Sequence, residues 1–401
     1  MLTWGGVRIV KVCMLAYSFF ENDARMMQYA TALTERGDQV DVIALRRGNA
    51  PSYEELNGVH VYRPQAREVN ERARFAYLLR ILRFMAVSAV LLFRLCRQQR
   101  YDVIHVHSVP DFLVFAALPT KLLGARIVLD IHDILPEFYA SKFRISQRSA
   151  IFKCMLLCER ISAACADHMI VANDIWHDRL VTRAVRPEKC TTIRNYPDPA
   201  IFTAHGEARQ QDRFLILYPG TLNRHQGLDV AIRAFALVAD EMPGAVFHIY
   251  GEGSERESLQ ALIETLHLQQ RVSLLDFLPI QQVARIMEQA DLAVVPKRVS
   301  SSFGNEAAST KIMEFMSLGV PVIVSRTRID SLYFDDSMVR YVEPENETEL
   351  ARAIYDLWLH PEVRKQMTEN AADYLEENNW NRQKREYLRI LDALLPASKK
   401  K

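Results

Sequence analysis

Glu306 and Glu314 stand eight positions apart in FGNEAASTKIMEFMSLGVPVIVS, residues 303–325, which reads as a polar loop, a short helix and a buried strand. A helix starting near Ser309 presents unpaired backbone N–H groups and the positive end of its dipole, a setting that suits a phosphate group. Ala307, Ala308 and Ser309 are small enough to let a ligand come close. At about 1.5 Å of rise per residue, Glu314 falls roughly 7 Å along the axis from that amino end, while Glu306 stands in the loop before it. Two carboxylates then bracket a bound phosphate. One can hold hydroxyls on the nucleoside side and the other hydroxyls on the far side, as a nucleotide-diphosphate sugar requires. The plainer alternative makes Glu306 a capping residue and Glu314 a solvated helix residue.

Elements able to position such a site occur twice along the chain. Short apolar runs at 7–15, 40–45, 102–107, 126–131, 168–172 and 190–194 alternate with helical patterns, and 214–219, 245–250, 272–277, 292–296, 320–325 and 339–343 repeat the scheme. Each run is short enough for a strand buried on both faces, which predicts parallel sheets joined by right-handed crossovers. One crossover helix is expected over Asp23–Arg36, capped by Asp23 and closed by Gly37. The fold class is therefore α/β, with two doubly wound, Rossmann-like domains over 1–196 and 197–375. A final helix in 376–401 packs back on the first domain, and a Pro-rich polar linker lies near 196–212. Ligands of such sheets bind beyond the carboxyl ends of the strands, so the expected site is the cleft where the loops after 131, 219, 250, 296 and Phe303 meet.

Composition narrows the partners. With 401 residues, 49% hydrophobic and 25% charged, the chain is an ordinary globular one with enough length for two cores. A net charge of +1 carries no signal for nucleic acid, although arginines are dense over 63–100. The six cysteines form no CxxC pair, and Cys154, Cys158 and Cys165 recur at helical spacing as small core residues, so no metal site is expected. Met1–Gly6 lacks the basic start of a signal peptide. The apolar run 84–93 is far shorter than the ~20 residues of a spanning helix. Segment 75–96, bordered by Arg72, Arg74, Arg80, Arg83, Arg94 and Arg97, reads either as a helix lying on an anionic inner-membrane surface or as a packing helix with snorkelling arginines.

The spacing of the two glutamates, followed by GVPVIVS, resembles the signature of the retaining glycosyltransferases of family 4. YPGTLNRHQGLD at 218–229, HIYGEGSERESL at 248–259 and RVSLLDFLP at 271–279 follow in that family's order. The first half adds ENDARMMQYATALTERGDQVDVIALRR at 21–47, YDVIHVHSVPD at 101–111 and VLDIHDILPEFY at 128–139, which look like the branch that modifies bacterial polysaccharides. The resemblance covers nearly the whole chain. It implies the glycosyltransferase B fold of two facing Rossmann-like domains, and a nucleotide-sugar that is a substrate rather than a cofactor.

Carried over residue by residue, the resemblance gives Glu314 the ribose hydroxyls and Glu306 those of the transferred sugar. His132 matches the histidine that faces the sugar from the first domain, with Asp133 beside it. Gly220 and Gly227 match the glycine-bounded loop near the diphosphate. That family usually has Arg after the first glycine and Lys before the second, where this chain has Thr221 and Gln226. The leaving diphosphate must then be met by other cations among Arg224, His225, Lys297, Arg298 and Lys311, with Arg224 and Lys297 favoured. Gly251, Glu252, Phe277, Leu278, Ser309 and Thr310 complete the donor side. Arg25 stands as a candidate acceptor contact, its alternative being a helix-surface arginine.

The expected function is metal-independent transfer of a sugar, from a UDP-sugar by preference, to a glycan or lipid-linked acceptor in cell-surface polysaccharide synthesis. Such a protein is cytoplasmic, with peripheral contact at the inner membrane. The alternatives are a nucleotide-sugar epimerase of the same fold and a non-catalytic sugar-nucleotide-binding subunit, which Thr221 and Gln226 would permit. GEGSERES lacks the third glycine of a dinucleotide fingerprint.

Overall fold

A computed structural model describes residues 3–4, 7–67, 74–143, 145–206, 213–299 and 302–395. Within the sequence readings, Arg72, linker residues 207–212, tail residues 396–401 and part of the Met1–Gly6 start lie outside the described residues. The chain divides into two compact units, one of 1–195 with 381–401 and the other of 196–380.

The first unit opens with a small antiparallel pair, β1 (Thr3–Trp4) and β2 (Val7–Arg8). The single strand expected over 7–15 is therefore split, and only β3 (Lys11–Ala16) enters the main sheet. α1 (Ala24–Arg36) follows, with the Asp23 carboxylate accepting from the Met26 N–H and Gly37 closing the helix at φ 89°. Its buried stripe Met26, Tyr29, Ala30 and Leu33 keeps helical spacing. Next come β4 (Gln39–Arg47), β5 (Tyr53–Leu56) and β6 (Val59–Arg67). α2 (Arg74–Gln99) crosses to β7 (Val103–His107), and a 3-10 segment (Asp111–Ala117) with α3 (Leu118–Lys121) leads to β8 (Arg126–Ile131). α4 (Leu135–Phe143), α5 (Ala150–Cys165), β9 (His168–Val171), α6 (Asp174–Arg183) and β10 (Cys190–Thr192) complete the run.

The sheet order is β10-β9-β8-β7-β3-β4-β6-β5, parallel except for the β5 edge strand. That edge corrects the all-parallel expectation. Asn57 and Gly58, at φ 51° and 80°, form the two-residue turn that folds β5 back on β6. The steps from β3 to β4 and on to the β5–β6 hairpin move one way across the sheet, and the later helical crossovers, from β6 to β7, β8, β9 and β10, move the other way. Right-handed connections therefore put α1 on one face and α2, α3, α5 and α6 on the opposite face.

In the second unit, β11 (Phe214–Pro219), α7 (Leu228–Ala236), β12 (Ala245–Tyr250), α8 (Arg256–Thr265), β13 (Val272–Leu275), α9 (Ile280–Glu288) and β14 (Leu292–Val295) alternate. Then come α10 (Ser302–Glu306), α11 (Thr310–Ser317), β15 (Val322–Ser325), α12 (Asp330–Tyr333), β16 (Arg340–Val342), α13 (Glu347–Leu359) and α14 (Pro361–Glu377). The sheet, β13-β12-β11-β14-β15-β16, is fully parallel. The order in which strands are added reverses between β11 and β14, which is where such sheets open a crevice for a ligand. α15 (Trp380–Leu394) returns to the first unit, where Tyr387 is fully buried against Tyr29 of α1.

Candidate functional site

Loops leaving β11, β12 and β13 meet the amino end of α11 around a cavity of about 470 Å³ in the second unit. Backbone bonds fasten those loops to one another: Gly220 N–H donates to Tyr250 O at 2.8 Å, and Leu222 N–H donates to Glu252 O at 2.8 Å. Gly220, at φ 147°, leaves the space that the Lys311 stem fills, since a Cβ there would lie 2.3 Å from Lys311 Cε. Gly227 differs from its expected role. It is buried, and a Cβ would meet the Pro296 carbonyl at 1.9 Å, so its close approach is to protein backbone.

The apolar part of the lining comes from Phe277, Leu278, Ile280 and Val283, with Phe277 66% exposed. The polar part comes from Thr221, Glu252, Thr310, Lys311 and Glu314, with Gly220 and Gly251. Ser309 caps α11 in extended conformation, and its side chain makes no cap bond, which leaves the first-turn N–H groups without that partner. Lys311 sits 5.4 Å from the Tyr218 ring centroid. Burial pushes its pKa down, opposed by Glu314 and reinforced by Lys297. Burial also pushes the Glu314 carboxyl up, against Lys311 and Thr310. The sequence reading missed Pro219, Tyr250, Ile280 and Val283 in this lining. Ile280 and Val283 share one face of α9 at i, i+3, a spacing that could have marked them.

Other expected site residues lie elsewhere. Glu306 ends α10 rather than sitting in a loop, and it is buried, with Oε1 3.4 Å from Arg328 Nη1. Lys297 is committed to Asp330 at 2.7 Å and to the Ala307 carbonyl at 3.0 Å, a buried ion pair that is not part of the cavity lining. Arg298 is likewise held by Asp229 and Glu345. Arg224 is exposed on a single 3-10 turn, Arg224–Gln226.

The first unit gathers a second polar group, centred on Asp130. Arg25 is neither a surface residue nor an open contact: its guanidinium grips both Asp130 oxygens at 2.8 Å and donates to Ile193 O and Asn195 Oδ1 at 2.7 Å. His132 Nε2 lies 3.1 Å from Asp130 Oδ2, and His107 Nδ1 lies 3.3 Å from the same oxygen. His105 Nδ1 meets the Tyr387 hydroxyl at 3.0 Å. Burial would lower the His132 pKa, but Asp130 outweighs it and holds the imidazole above its ordinary value. His105 and His107 are pushed down, first by burial. Asp133 is half-buried, and burial raises its carboxyl.

The sequence reading expected no metal site, yet His105, His107 and Asp130 bring ligand atoms within 4.8 Å of one another. The signal was His-x-His on β7 beside Asp-x-His on β8, with His107 and Asp130 in register. This group does not fit a cation, because the Arg25 guanidinium already occupies both oxygens of its only carboxylate. Cys154 corrects another expectation. The buried stripe of α5 is Phe152, Glu159, Ser162 and Ala163, which turns Cys154 outward.

A family model described as Glycosyl transferase 4-like domain matches residues 23–196, and one described as Glycosyl transferases group 1 matches 203–374. A phosphatidylinositol N-acetylglucosaminyltransferase subunit of Homo sapiens is 24% identical, over 87% of this chain and 69% of its own length. The alpha-D-kanosaminyltransferase of Streptomyces kanamyceticus is also 24% identical, over 64% of this chain and 67% of its own. Among solved structures, sucrose-phosphate synthase from Thermosynechococcus elongatus superposes with a TM-score of 0.78 at 17% identity, covering 96% of this chain and 99% of that one. Anabaena Alr3699/HepE in complex with UDP gives 0.71 at 18% identity, covering 96% and 100%. Relatives named for colanic acid and amylovoran biosynthesis, from Escherichia coli and Erwinia amylovora, match shorter stretches. The chain belongs to the glycosyltransferases of the family-4 type, with the glycosyltransferase B fold.

Proposed function

We propose that this glycosyltransferase moves a sugar from a nucleotide-diphosphate sugar, UDP-linked by preference, to a glycan or lipid-linked acceptor at the cytoplasmic side of a membrane, in cell-surface polysaccharide synthesis. The supporting observation is one cavity lined both by apolar side chains and by the charged and polar residues of the first turns of α11. Its volume suits a nucleotide, since ligand sites commonly span ~300–1,000 Å³. The base lies against Phe277, Leu278, Ile280 and Val283, and Glu314 accepts from the ribose hydroxyls. The diphosphate takes the α11 amino end and Lys311, which occupies the cationic role that Thr221 and Gln226 do not fill. Arg224, exposed after the same loop, is the second cation.

In this reading Glu306 holds hydroxyls of the transferred sugar. The bond from the anomeric carbon to the diphosphate oxygen breaks as the acceptor hydroxyl attacks from the same face, so configuration is retained. Developing charge on the leaving group is met by Lys311, Arg224 and backbone N–H groups, without a divalent metal.

Thermal shift with UDP, GDP, ADP and their sugar conjugates tests the donor class. The bound nucleotide at a hundred times its dissociation constant adds about 2.7 kcal/mol, and a panel in which none shifts the melt refutes the donor site. Transfer assayed with EDTA, with the anomeric coupling of the product read by NMR, tests the rest. Activity lost to EDTA and restored by magnesium, or an inverted product, would overturn the mechanism.

A further inference from the structure

The outer surface of α2, α3 and α5 combines three properties. First, α2 buries Ile81, Phe84, Ser88 and Leu92 and turns Leu79, Leu82, Val90 and Phe93 outward, exposed by 37–53%. Second, α5 repeats this arrangement, with Ile151, Leu157 and Ile161 outward at 47–62%, and Leu122 after α3 is 89% exposed. The two helices flank the same 3-10 segment on one face of the sheet, so their outward stripes belong to one helical layer.

Third, the charge on this layer has one sign. Arg83, Arg94 and Arg97 on α2 and Lys153 and Arg160 on α5 are exposed. The acids over 74–166 are Asp102, Asp111, Asp130, Asp133, Glu137 and Glu159, and each is buried or half-buried. Glu137 and Glu159 point inward to Arg183. An apolar stripe framed by cations, with no exposed acid among the described residues of these helices, complements an anionic lipid surface. A second copy fits less well, because two faces of the same positive sign repel. Among the described residues no helix is long and apolar enough to cross a membrane, so contact is lateral.

We infer that this layer docks the protein on an anionic bilayer, with the apolar stripes of α2 and α5 in the headgroup boundary and the arginines at the phosphates. The inference deepens the reading of a membrane-presented acceptor, and its test uses neither donor nor acceptor, so binding and transfer can fail independently. Full-length protein is sedimented with vesicles of phosphatidylcholine alone or mixed with phosphatidylglycerol. Binding is expected only with the mixed vesicles, falling as salt rises and roughly fivefold for each of Arg83→Gln and Arg94→Gln. Val90→Asp and Leu157→Asp also release the protein, whereas Leu359→Asp, an exposed apolar position in the second unit, does not. Melting temperatures verify that each variant is folded.

Equal binding to both vesicle types, no binding at low salt, or parental binding by the Val90 and Leu157 variants overturns the proposal. So does a concentration-dependent dimer dissolved by Val90→Asp, which would assign the face to a second copy.

Discussion

The Asp130 group of the first unit and the Lys311–Glu314 group of the second are both built from charged side chains near the carboxyl ends of parallel strands. They differ in what neutralises them. Arg25, His107 and His132 all converge on Asp130, which is fully buried. Lys311 has no ion pair among the described residues, and Glu314 shares its cavity wall. Lys297 belongs with the first kind although it lies in the second unit, because Asp330 holds it. Charges that close on each other hold a fold together, and charges facing a cavity are left for a ligand.

Breaking a closed group should cost the most. Asp130→Ala leaves the Arg25 guanidinium buried without its carboxylate and should destabilise by about 3–5 kcal/mol in urea unfolding. A loss under about 1 kcal/mol would remove the distinction between the two groups. Lys297→Ala should behave similarly through Asp330, and the folded variant should keep its affinity for nucleotide.

The open group should respond in rate. Lys311→Gln is expected to lower turnover roughly a hundredfold, because one charge-stabilising contact is lost in the transition state. The fold should be spared, since the lysine is held at a desolvation cost. If Lys297→Ala slows the folded enzyme more than Lys311→Gln does, the assignment of the diphosphate cation is wrong.

A finer division lies between the two glutamates. Glu314→Ala should weaken free UDP by about tenfold in calorimetry, the scale of lost hydrogen bonds to a charged acceptor. Glu306→Ala should leave that affinity unchanged and reduce turnover. Equal losses in both variants would refute the separation of ribose and sugar contacts.

The smallest effect concerns pH. Because the folded His132 pKa stands above its ordinary 6.5, its stabilisation is full below about that pH and is lost as pH rises through the folded value. His105 and His107, lowered by burial, act in the opposite sense, contributing above 6.5 and losing it as pH falls. His132→Asn should therefore cost more stability near pH 6 than near pH 8, by about 1.4 kcal/mol for each tenfold gain in proton affinity on folding. Urea midpoints at the two values measure it, and an equal cost at both would contradict the charged pairing with Asp130.

Most sheet strands were legible because buried parallel strands leave contiguous apolar runs, as at 126–131 and 214–219. The β5–β6 hairpin was not, since Tyr53–Leu56 carries two adjacent glutamates and Val59–Arg67 alternates buried with half-buried residues instead of forming an apolar run, although Asn57-Gly58 carried the turn signal. In the site, Glu314 and Lys311 could be placed from helix spacing. The ion pair of Lys297 was not legible, because its partner, Asp330, lies 33 positions away in sequence. Arg25 was misread for the same reason, its carboxylate being 105 residues distant.

The contact between Gly220 and Lys311 also limits how this donor site can be redesigned. Any side chain at 220 would collide with the lysine stem and strain a backbone at φ 147°, so the usual cation cannot be restored beside that glycine by extending position 220 itself. A cation is better introduced at 221 or 226, which leaves position 220 as glycine. A library at 311 samples charge on an unchanged backbone, whereas one at 220 also has to bear a strained backbone, since side chains rarely adopt φ 147°.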